Sequence, residues 1–481
     1  MSNWINEAII YHIYVLGFCG GEEENSKEIV CVNRIKKVIE WIEHFKDLGV
    51  NTILFSPLFE STSHGYDTAD YEKLDKRLGT NDDFKEVCQK LHEAGFRILL
   101  DGVFNHVGRD FFAFKDLQEK RESSPYKDWF CHVNFGGSSP YGDAFSYEAW
   151  EGHYNLVKLN LWNQEVRNYL FHAVELWMNE FEVDGLRLDV AYCMDEDFLR
   201  ALRNFTEAKQ KDFWLMGEMI HGDYSRLIKP DLLHSTTDYE CYKGIYSSHN
   251  DKNYFEINYS MNRLFGRGGL CEKLQLYNFV DNHDVERIGS VLKDRRHLEN
   301  VYTLLFTMPG IPSIYYGSEW GIEGKKVKGT DKSLRPELNL EQMLQLDQGL
   351  VKHIHKLSEI RKQYAALQEG NYEQIVVRNQ QLIFARNLGE EIVYTVLNLQ
   401  DEAAWLEFKE KSSQSLINVL DEKEVVVCEN GQIKVQIPPF SGKILVSSEK
   451  FYSNKKSNSS LVADSKIEVM DEQEAISKIS D

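Results

Sequence analysis

Residues 165–189 read EVRNYLFHAVELWMNEFEVDGLRLD and contain one helix followed by one strand. Tyr169, Ala173 and Leu176 are spaced four and three residues apart, which is the repeat of a helix with one apolar face. The short apolar segment 185–188 comes soon after this helix and is typical of a buried strand. A helix that leads into such a strand indicates parallel strands joined by crossover helices.

The same unit repeats on both sides of this segment. Residues 34–48 also carry apolar side chains at helical spacing, among them Val38, Ile42 and Phe45. Eight apolar segments are strand candidates, and eight is the number of strands that closes a (β/α)8 barrel. These segments are 9–15, 52–55, 96–100, 185–188, 213–216, the weaker 234–239, 274–280 and 313–316.

Two regions depart from the barrel pattern. Residues 101–164 contain Gly136-Gly137 and many aromatics but no long periodic segment, so we expect a small irregular insertion after the third strand. After residue 367 the apolar residues alternate with period two, which predicts an antiparallel β-sandwich. The predicted domains are a barrel (1–100 and 165–367), the insertion (101–164), a C-terminal β-domain (368–450) and a flexible tail (451–481), with a weak amphipathic helix at 465–479 as the alternative for the tail.

Composition excludes several classes of protein. The 481 residues are 42% hydrophobic and 27% charged, which is typical of a globular protein and not of a collagen-like or disordered chain. The net charge of −21 repels phosphate groups, so neither nucleic acid nor an anionic membrane is an expected partner. The sequence has no run of about 18 apolar residues, so no membrane-spanning helix is predicted. Because no signal-peptide pattern or C-x-x-C pair is present, we expect a reduced, cytoplasmic protein.

Four carboxylates follow strand candidates, at the end of the barrel where active sites lie. Alone, each of them can be a helix cap or an ion-pair partner. Four at successive strand ends, accompanied by His106, Arg187 and His283, indicate a reaction centre instead. Convergent carboxylates suit retaining glycoside hydrolysis, in which one attacks the anomeric carbon and another protonates the leaving oxygen. The four are Asp101, Asp189, Glu218 and Asp284.

Six segments carry a more specific pattern. They are Ser63-His-Gly-Tyr-Asp-Thr-Ala-Asp-Tyr71, Asp101-Gly-Val-Phe-Asn-His106, Gly185-Leu-Arg-Leu-Asp189, Gly217-Glu218, Phe279-Val-Asp-Asn-His-Asp284 and Met308-Pro-Gly-Ile-Pro-Ser-Ile-Tyr-Tyr-Gly317. In this order they resemble the motifs of the α-amylase family, glycoside hydrolase family 13, over roughly residues 5–450. The resemblance implies that Asp189 is the nucleophile, Glu218 the general acid/base and Asp284 the transition-state stabiliser.

The same resemblance implies roles for residues that bind the sugar at the cleaved bond. Tyr66 is expected to stack on this sugar, while His106 and His283 are expected to donate hydrogen bonds to its hydroxyl groups. Arg187 lies on the same strand face as Asp189, so a charge-assisted bond can keep the nucleophile ionised.

Other residues are expected to support the site. Asp101 is expected to hold Arg187 or another charge of the barrel, and His64 and Asp67 to brace the loop of Tyr66. The apolar segment 214–216 is expected to provide apolar surroundings that keep the following carboxyl group, that of Glu218, protonated.

No cofactor is required by this chemistry. Asn105 matches a family position that often binds a structural calcium ion, so a calcium site stays open, although further oxygen ligands are not evident in the insertion. The segment Leu156-Val-Lys-Leu-Asn160 resembles a motif of the neopullulanase and cyclomaltodextrinase branch through Lys158, but Val157 stands where proline is usual.

The predicted function is hydrolysis of α-1,4-glucosidic bonds in maltooligosaccharides through a covalent glucosyl-enzyme. A family-related glucosyltransferase or isomerase uses the same carboxylates and is the first alternative. A catalytically inactive carbohydrate-binding relative is the second, although it should lack one of the three catalytic carboxylates, all of which are present. An oligosaccharide is the expected partner, and the oligomeric state is not predicted. The aromatics of the insertion are expected to wall a cleft for short chains or to form the insertion's own core.

Overall fold

The computed structural model describes residues 4–26, 28–410 and 414–455. At its centre is a sheet of eight parallel strands, which confirms the predicted (β/α)8 barrel. A bridge between Thr237 and Tyr277 joins the two ends of this sheet and closes the barrel. The strands are β1 (Ile10–Ile13), β2 (Thr52–Phe55), β3 (Arg97–Gly102), β4 (Gly185–Leu188), β5 (Trp214–Gly217), β6 (Ser235–Thr236), β7 (Tyr277–Asn278) and β8 (Ile311–Tyr315), and their order around the barrel is β6-β5-β4-β3-β2-β1-β8-β7.

Alternate residues of the barrel strands face opposite sides, as the pleat of a strand requires. Ile10, Leu54 and Leu99 belong to a buried cluster that fills the barrel, whereas their neighbours Ile53 and Leu100 pack in the larger core with the outer helices. The active-site end of such a barrel is formed by the carboxyl ends of its strands, beyond the inner cluster.

The outer helices begin close to the predicted positions. The helix predicted at 165–181 runs over Gln164–Glu180, and the side chain of Asn163 caps it by accepting a hydrogen bond of 2.8 Å from the N–H of Glu165. The helix predicted at 34–48 is divided into a 3-10 turn and two short helices. The helices are Trp4–Glu7, Val15–Phe18, Lys37–Glu40, Ile42–Leu48, Asn81–Glu93, Phe112–Lys120, Gln164–Glu180, Glu196–Lys209, Tyr239–Asn250, Phe255–Phe265, Ile288–Val291, Leu298–Thr307, Leu340–Leu344, Gly349–Gln363 and Ala365–Glu369, with 3-10 turns at Arg34–Lys36, Arg121–Ser123, Lys127–Trp129, Ala191–Cys193, Tyr224–Arg226, Arg295–His297, Ser318–Trp320 and Lys332–Leu334.

The insertion is more regular than the sequence predicts. It contains the helix Phe112–Lys120, whose Phe114 and Leu117 are buried, so the expectation of a wholly irregular subdomain is wrong. Phe114 contacts the rings of Phe130 and Tyr147, with centroids 5.2 and 5.0 Å away, and these rings form a core of the insertion. Its antiparallel sheet consists of His106–Gly108, Ala149–Trp150 and His153–Lys158, and a hairpin of Phe59–Ser61 and Thr68–Leu74 follows β2.

The C-terminal domain consists of two antiparallel sheets, of six and three strands, around a common apolar cluster. The strand Ala404–Lys409 alternates buried and exposed positions, and its outward-facing Trp405 is 53% exposed. The strands are Asn371–Val377, Gln381–Leu388, Glu391–Asn398, Ala404–Lys409, Leu416–Asn418, Val425–Val426, Cys428–Glu429, Gln432–Ile437 and Gly442–Ser447.

A buried arginine of this domain, Arg386, donates to the barrel next to a buried arginine of the barrel, Arg361. Arg361 and Arg386, each 1% exposed, both donate to the carbonyl oxygen of Leu367, at 2.8 and 3.0 Å. Arg361 also donates to Gly310 O at 2.7 Å, and Arg386 to Thr307 O at 3.0 Å. The hydrogen bonds of Arg386 to Thr307 and Leu367 therefore cross the domain boundary.

The prediction of a flexible tail from residue 451 is wrong for residues 451–455, and the rest of the predicted tail, 456–481, lies outside the described residues. Residues 448–455 are helical and Phe451 is only 4% exposed, because its ring packs into the main core. The alternative helix at 465–479 lies outside the described residues. Within the described part of the chain, no helix combines the length and the apolar composition needed to cross a membrane.

Candidate active site

Arg187 of β4 connects carboxyl groups from three neighbouring strand ends. In the strand register it lies opposite Asp101 of β3, and its Nη1 is 2.7 Å from Asp101 Oδ2. The same nitrogen is 3.2 Å from Asp189 Oδ1, and Nη2 is 2.7 Å from Glu218 Oε1. Its side chain is 4% exposed, so the guanidinium contacts protein and not solvent. Three of the four predicted strand-end carboxylates therefore surround one cation.

This cluster has an excess of negative charge. Burial raises the pKa of Asp189 well above its usual range, repulsion from Glu218 raises it further, and Arg187 opposes both effects. Burial also raises the pKa of Asp101, although Arg187 offsets part of this effect. Because neighbouring carboxylates in a buried site resist ionising together, the cluster favours the retention of a proton.

Glu218 has ionic neighbours and not the expected apolar ones. Besides Arg187, its Oε2 accepts a hydrogen bond of 2.9 Å from Val190 N–H, and the Tyr239 hydroxyl lies 3.4 Å from Oε1. Residues 214 and 216 belong to the inner cluster of the barrel. These two residues lie two and four positions before Glu218 on the same strand face, deeper in the barrel.

The turn after Asp189 holds the backbone in a strained conformation. Val190 has φ of 43°, in the left-handed region that β-branched residues rarely adopt. In this conformation its N–H donates to Glu218 Oε2, so the turn after Asp189 is held against the neighbouring carboxyl group.

Asp284 lies on the loop after β7 and is paired with two cationic or polar neighbours. Its Oδ2 is 2.9 Å from His283 Nε2, and its Oδ1 is 3.0 Å from Arg335 Nη2. Desolvation alone would raise the pKa of Asp284, but His283 and Arg335 lower it more, so the carboxyl group stays ionised. With its side chain 40% exposed, Asp284 is the most accessible of the four carboxylates.

Two histidines present unpaired ring nitrogens. His106 Nε2 is buried 3.9 Å from Asp189 Oδ2 and has no hydrogen-bond partner among the described residues. Burial lowers the pKa of His106 to about 3, so its ring is neutral at neutral pH. His283 Nδ1 is likewise unpaired in the described chain, although Nε2 of the same ring contacts Asp284. A buried polar atom without a protein partner is suited to a ligand hydroxyl group.

Tyr66 is placed against the site by the loop that the sequence predicts. Its hydroxyl lies 3.0 Å from Asp101 Oδ2 and 2.5 Å from His283 Nε2. The loop is held from within, because the Tyr66 N–H donates to His64 Nδ1 at 3.2 Å, and Asp67 Oδ2 accepts from the Ser63 hydroxyl at 2.7 Å.

Three residues of the site have no counterpart in the sequence prediction. Arg335 pairs with Asp284 from a long loop after β8, Tyr14 stacks on His283 with ring centroids 5.9 Å apart, and Tyr239 reaches Glu218. Tyr14 and Tyr239 lie near the ends of the predicted strands 9–15 and 234–239, and this position could have indicated that they belong to the site. Arg335 carries no such signal.

The surroundings of Asn105 do not suit a calcium ion. Its side-chain nitrogen lies 3.2 Å from His106 Nδ1, and the adjacent cleft contains the ammonium group of Lys158, which is 2.6 Å from Glu148 Oε1. A second cation would meet this ammonium group, and calcium needs six to eight oxygen ligands. Among the described residues, no three histidine, cysteine or acidic side chains are grouped to hold a metal.

Comparisons with known proteins agree with this geometry. The family model described as alpha amylase, catalytic domain, matches residues 32–337. The chain is 30% identical to neopullulanase 2 of Thermoactinomyces vulgaris over 475 residues, covering 92% of this chain and 78% of the relative. It is 28% identical to an intracellular maltogenic amylase of Bacillus subtilis over 415 residues, covering 82% and 69%. A solved cyclomaltodextrinase structure superposes with a TM-score of 0.81 at 26% identity, covering 92% and 78%.

The order of the strand-end carboxylates, the eight-stranded barrel and the matched family model lead to one conclusion. The chain belongs to the α-amylase family.

Proposed function

We propose that the protein is a retaining hydrolase that cleaves α-1,4-glucosidic bonds in short maltooligosaccharides. The observation that carries the proposal is the contact of one guanidinium, that of Arg187, with both Asp189 and Glu218. This contact fixes a nucleophile and an acid side by side, as the formation of a covalent glycosyl-enzyme requires. Neopullulanase, maltogenic amylase and cyclomaltodextrinase are the names of the relatives, which supports an α-glucan as the substrate.

In the first step, Asp189 attacks the anomeric carbon while Glu218 gives its proton to the leaving oxygen. The bond from the anomeric carbon to the leaving oxygen breaks, and an ester bond to Asp189 forms. In the second step, Glu218 takes a proton from water, the oxygen of that water attacks the anomeric carbon, and the ester bond breaks. The raised pKa of Asp189 indicates that the carboxyl groups around Arg187 do not all ionise together.

Neighbouring residues position the sugar and stabilise its positive charge. The ionised Asp284 is placed to stabilise the oxocarbenium-like transition state, and Arg335 keeps it ionised. The unpaired nitrogens of His106 and His283 are assigned to sugar hydroxyl groups, and Tyr66 to the ring of the same sugar. Asp101 is assigned to the positioning of Arg187 and Tyr66.

Product analysis tests the substrate and the reaction together. The protein is incubated with maltoheptaose, cyclodextrin, pullulan, trehalose and sucrose, and the products are separated by chromatography, with their anomeric configuration read by NMR. We expect maltose and glucose from maltoheptaose, released first as the α-anomer. Release of the β-anomer would contradict retention, and rearrangement of trehalose or sucrose without hydrolysis would favour the isomerase alternative.

We place the protein in the cytoplasm. All eight cysteines are free thiols, which suits a reducing compartment, and one relative is named as intracellular. A disulfide reductant should therefore leave the initial rate on maltopentaose unchanged, and granular starch should be attacked more slowly than maltopentaose. Inactivation by dithiothreitol would contradict this assignment.

A further inference from the structure

Arg287 is a buried cation that the proposed mechanism leaves unused. It ends the loop after β7 (residues 279–287, the β7 loop), three residues after Asp284, and it is 0% exposed. Its guanidinium carbon lies 4.2 Å from the ring centroid of Tyr315 and 4.9 Å from that of Tyr316. A buried charge is costly unless hydrogen bonds satisfy it, so the partners of this guanidinium show what its burial achieves.

The guanidinium of Arg287 connects the barrel to a second loop of the active site. Its Nη1 donates at 2.6 Å to the carbonyl oxygen of Tyr316, next to the end of β8. Its Nη2 donates at 2.9 Å to the carbonyl oxygen of Leu334, which lies on the loop after β8 (residues 321–339, the β8 loop). The Tyr315 hydroxyl donates to the same oxygen at 3.0 Å. Two buried donors therefore attach the β8 loop to the barrel at Leu334.

The next residue of the β8 loop is Arg335, which pairs with Asp284. The carbonyl group of Leu334 and the nitrogen of Arg335 belong to one planar peptide group, so a contact that fixes the first also fixes the second. Arg335 donates through Nε to His283 O at 3.0 Å and through Nη2 to Asp284 Oδ1 at 3.0 Å. A chain of contacts thus leads from Arg287 through the β8 loop to the ionised carboxyl group of Asp284.

We propose that Arg287 is a positioning residue of the reaction, which holds the Leu334–Arg335 peptide group so that Arg335 meets Asp284. The inference rests on the proposed function, because it takes Asp284 as the group that stabilises the transition state. Long surface loops are mobile unless contacts hold them. A group of the active site that is misplaced by about 1 Å can lower the rate about 10²-fold. Arg287 supplies the contact that holds the β8 loop from inside the protein.

A double-mutant cycle tests whether Arg287 acts through Arg335. The value of kcat/KM for maltohexaose is measured for Arg287→Met, Arg335→Met and the double variant. We expect a loss of about 100-fold in Arg335→Met and of about 30-fold in Arg287→Met. The double variant should stay within about threefold of Arg335→Met, because the group that Arg287 positions is already absent. Independent effects would multiply to a loss of about 3,000-fold and would overturn the proposal, as would a wild-type value in either single variant.

The substitution Tyr315→Phe provides a second test that leaves the buried charge in place. It removes the other donor to Leu334 O and should lower kcat/KM about threefold in the wild-type background, with no further loss in Arg335→Met. Tyr254→Phe is the matched control, since Tyr254 is also 0% exposed and its hydroxyl has no hydrogen-bond partner among the described residues. This control should keep the wild-type value. An equal loss from Tyr315→Phe with and without Arg335 would contradict the proposal.

The substitution Arg361→Met separates positioning from a loss of stability. Arg361 is also a buried arginine of the barrel, and it donates to the carbonyl groups of Phe306, Gly310 and Leu367, which lie outside the β8 loop. We expect both Arg287→Met and Arg361→Met to lower the melting temperature, but only Arg287→Met to lower kcat/KM at a temperature where both variants are folded. An equal loss of kcat/KM in the two variants would show that Arg287 has a structural role alone.

The wild-type protein separates this inference from the proposed function. If wild type cleaves maltohexaose and the effects of Arg287→Met and Arg335→Met multiply, the positioning role is wrong and the proposed function stands. If wild type does not cleave maltohexaose, the proposed function is wrong and the positioning role is wrong with it.

Discussion

At the scale of single residues, Asp189, the proposed nucleophile, lowers the stability of the folded protein at neutral pH. Asp189 is 6% exposed and has carboxylate neighbours, so its folded-state pKa is raised. Because the pKa of Asp189 is higher in the folded than in the unfolded state, its contribution to the free energy of unfolding is fully present at a pH below the unfolded-state pKa. This contribution is lost as the pH rises through the folded-state pKa. At neutral pH its charge is therefore a cost of function.

The substitution Asp189→Asn should separate the contribution of Asp189 to activity from its effect on stability. We expect activity to fall about 10⁴-fold or more, because the covalent route is lost. The melting temperature at pH 7–8 should rise by about 2–4 °C relative to wild type, and this difference should shrink toward pH 4. Calorimetry across this pH range measures the difference. A variant that melts below wild type at pH 8, or retains a tenth of the activity, would refute this account.

The carboxyl groups around Arg187 should also determine the pH dependence of kcat/KM. Because ionised Asp189 is required and its pKa is raised, the acid limb should lie above about 3.9, the ordinary value for aspartate. In Glu218→Gln, a substrate with a dinitrophenyl leaving group needs no proton, so the acid limb should remain and the alkaline limb should disappear. Initial rates from pH 3 to 10 test both statements, and a variant that keeps the alkaline limb would exclude Glu218 as the acid.

At the scale of elements, the insertion depends on its own aromatic core. Phe114→Ala removes a fully buried ring that contacts Phe130 and Tyr147, a change that costs about 3–5 kcal/mol in packed cores. We expect faster proteolysis within residues 101–164 and a higher KM, because the insertion's sheet also contains His106. Phe112→Ala on the same helix is the control, since Phe112 is 42% exposed. Equal protease resistance of the two variants would contradict this view.

Residues at strand ends can be predicted from the sequence because their positions follow directly from the positions of the apolar strand segments. An apolar run fixes the strand, and the next charged residue must lie at the barrel's open end, as with Asp189 and Glu218. Arg335 could not be predicted in this way because it is 51 residues from Asp284 in the sequence and lies on a loop without apolar repeats. The helix Phe112–Lys120 could not be predicted because a short helix among aromatics shows little periodicity.

At the scale of the whole molecule, the cleft between barrel and insertion contains a side-chain cation of the insertion. Lys158, next to Asn105, pairs with Glu148 at 2.6 Å. We expect neither EDTA nor added calcium to change the melting temperature by more than about 1 °C, whereas Lys158→Met should lower it, because Glu148 loses one of its two ionic contacts and keeps only His132. A chelator-induced loss of stability that calcium reverses would show instead that a metal occupies this junction.

The carbonyl oxygen of Leu367 has two arginine donors, Arg361 in the helix Gly349–Gln363 and Arg386 in a strand of the sandwich. If the two domains separate, Arg386 loses its hydrogen bonds to Thr307 O and Leu367 O of the barrel. The barrel and the sandwich should therefore unfold in one cooperative transition, seen as a single calorimetric peak. Arg386→Met should divide this peak into two, so that the C-terminal domain melts first.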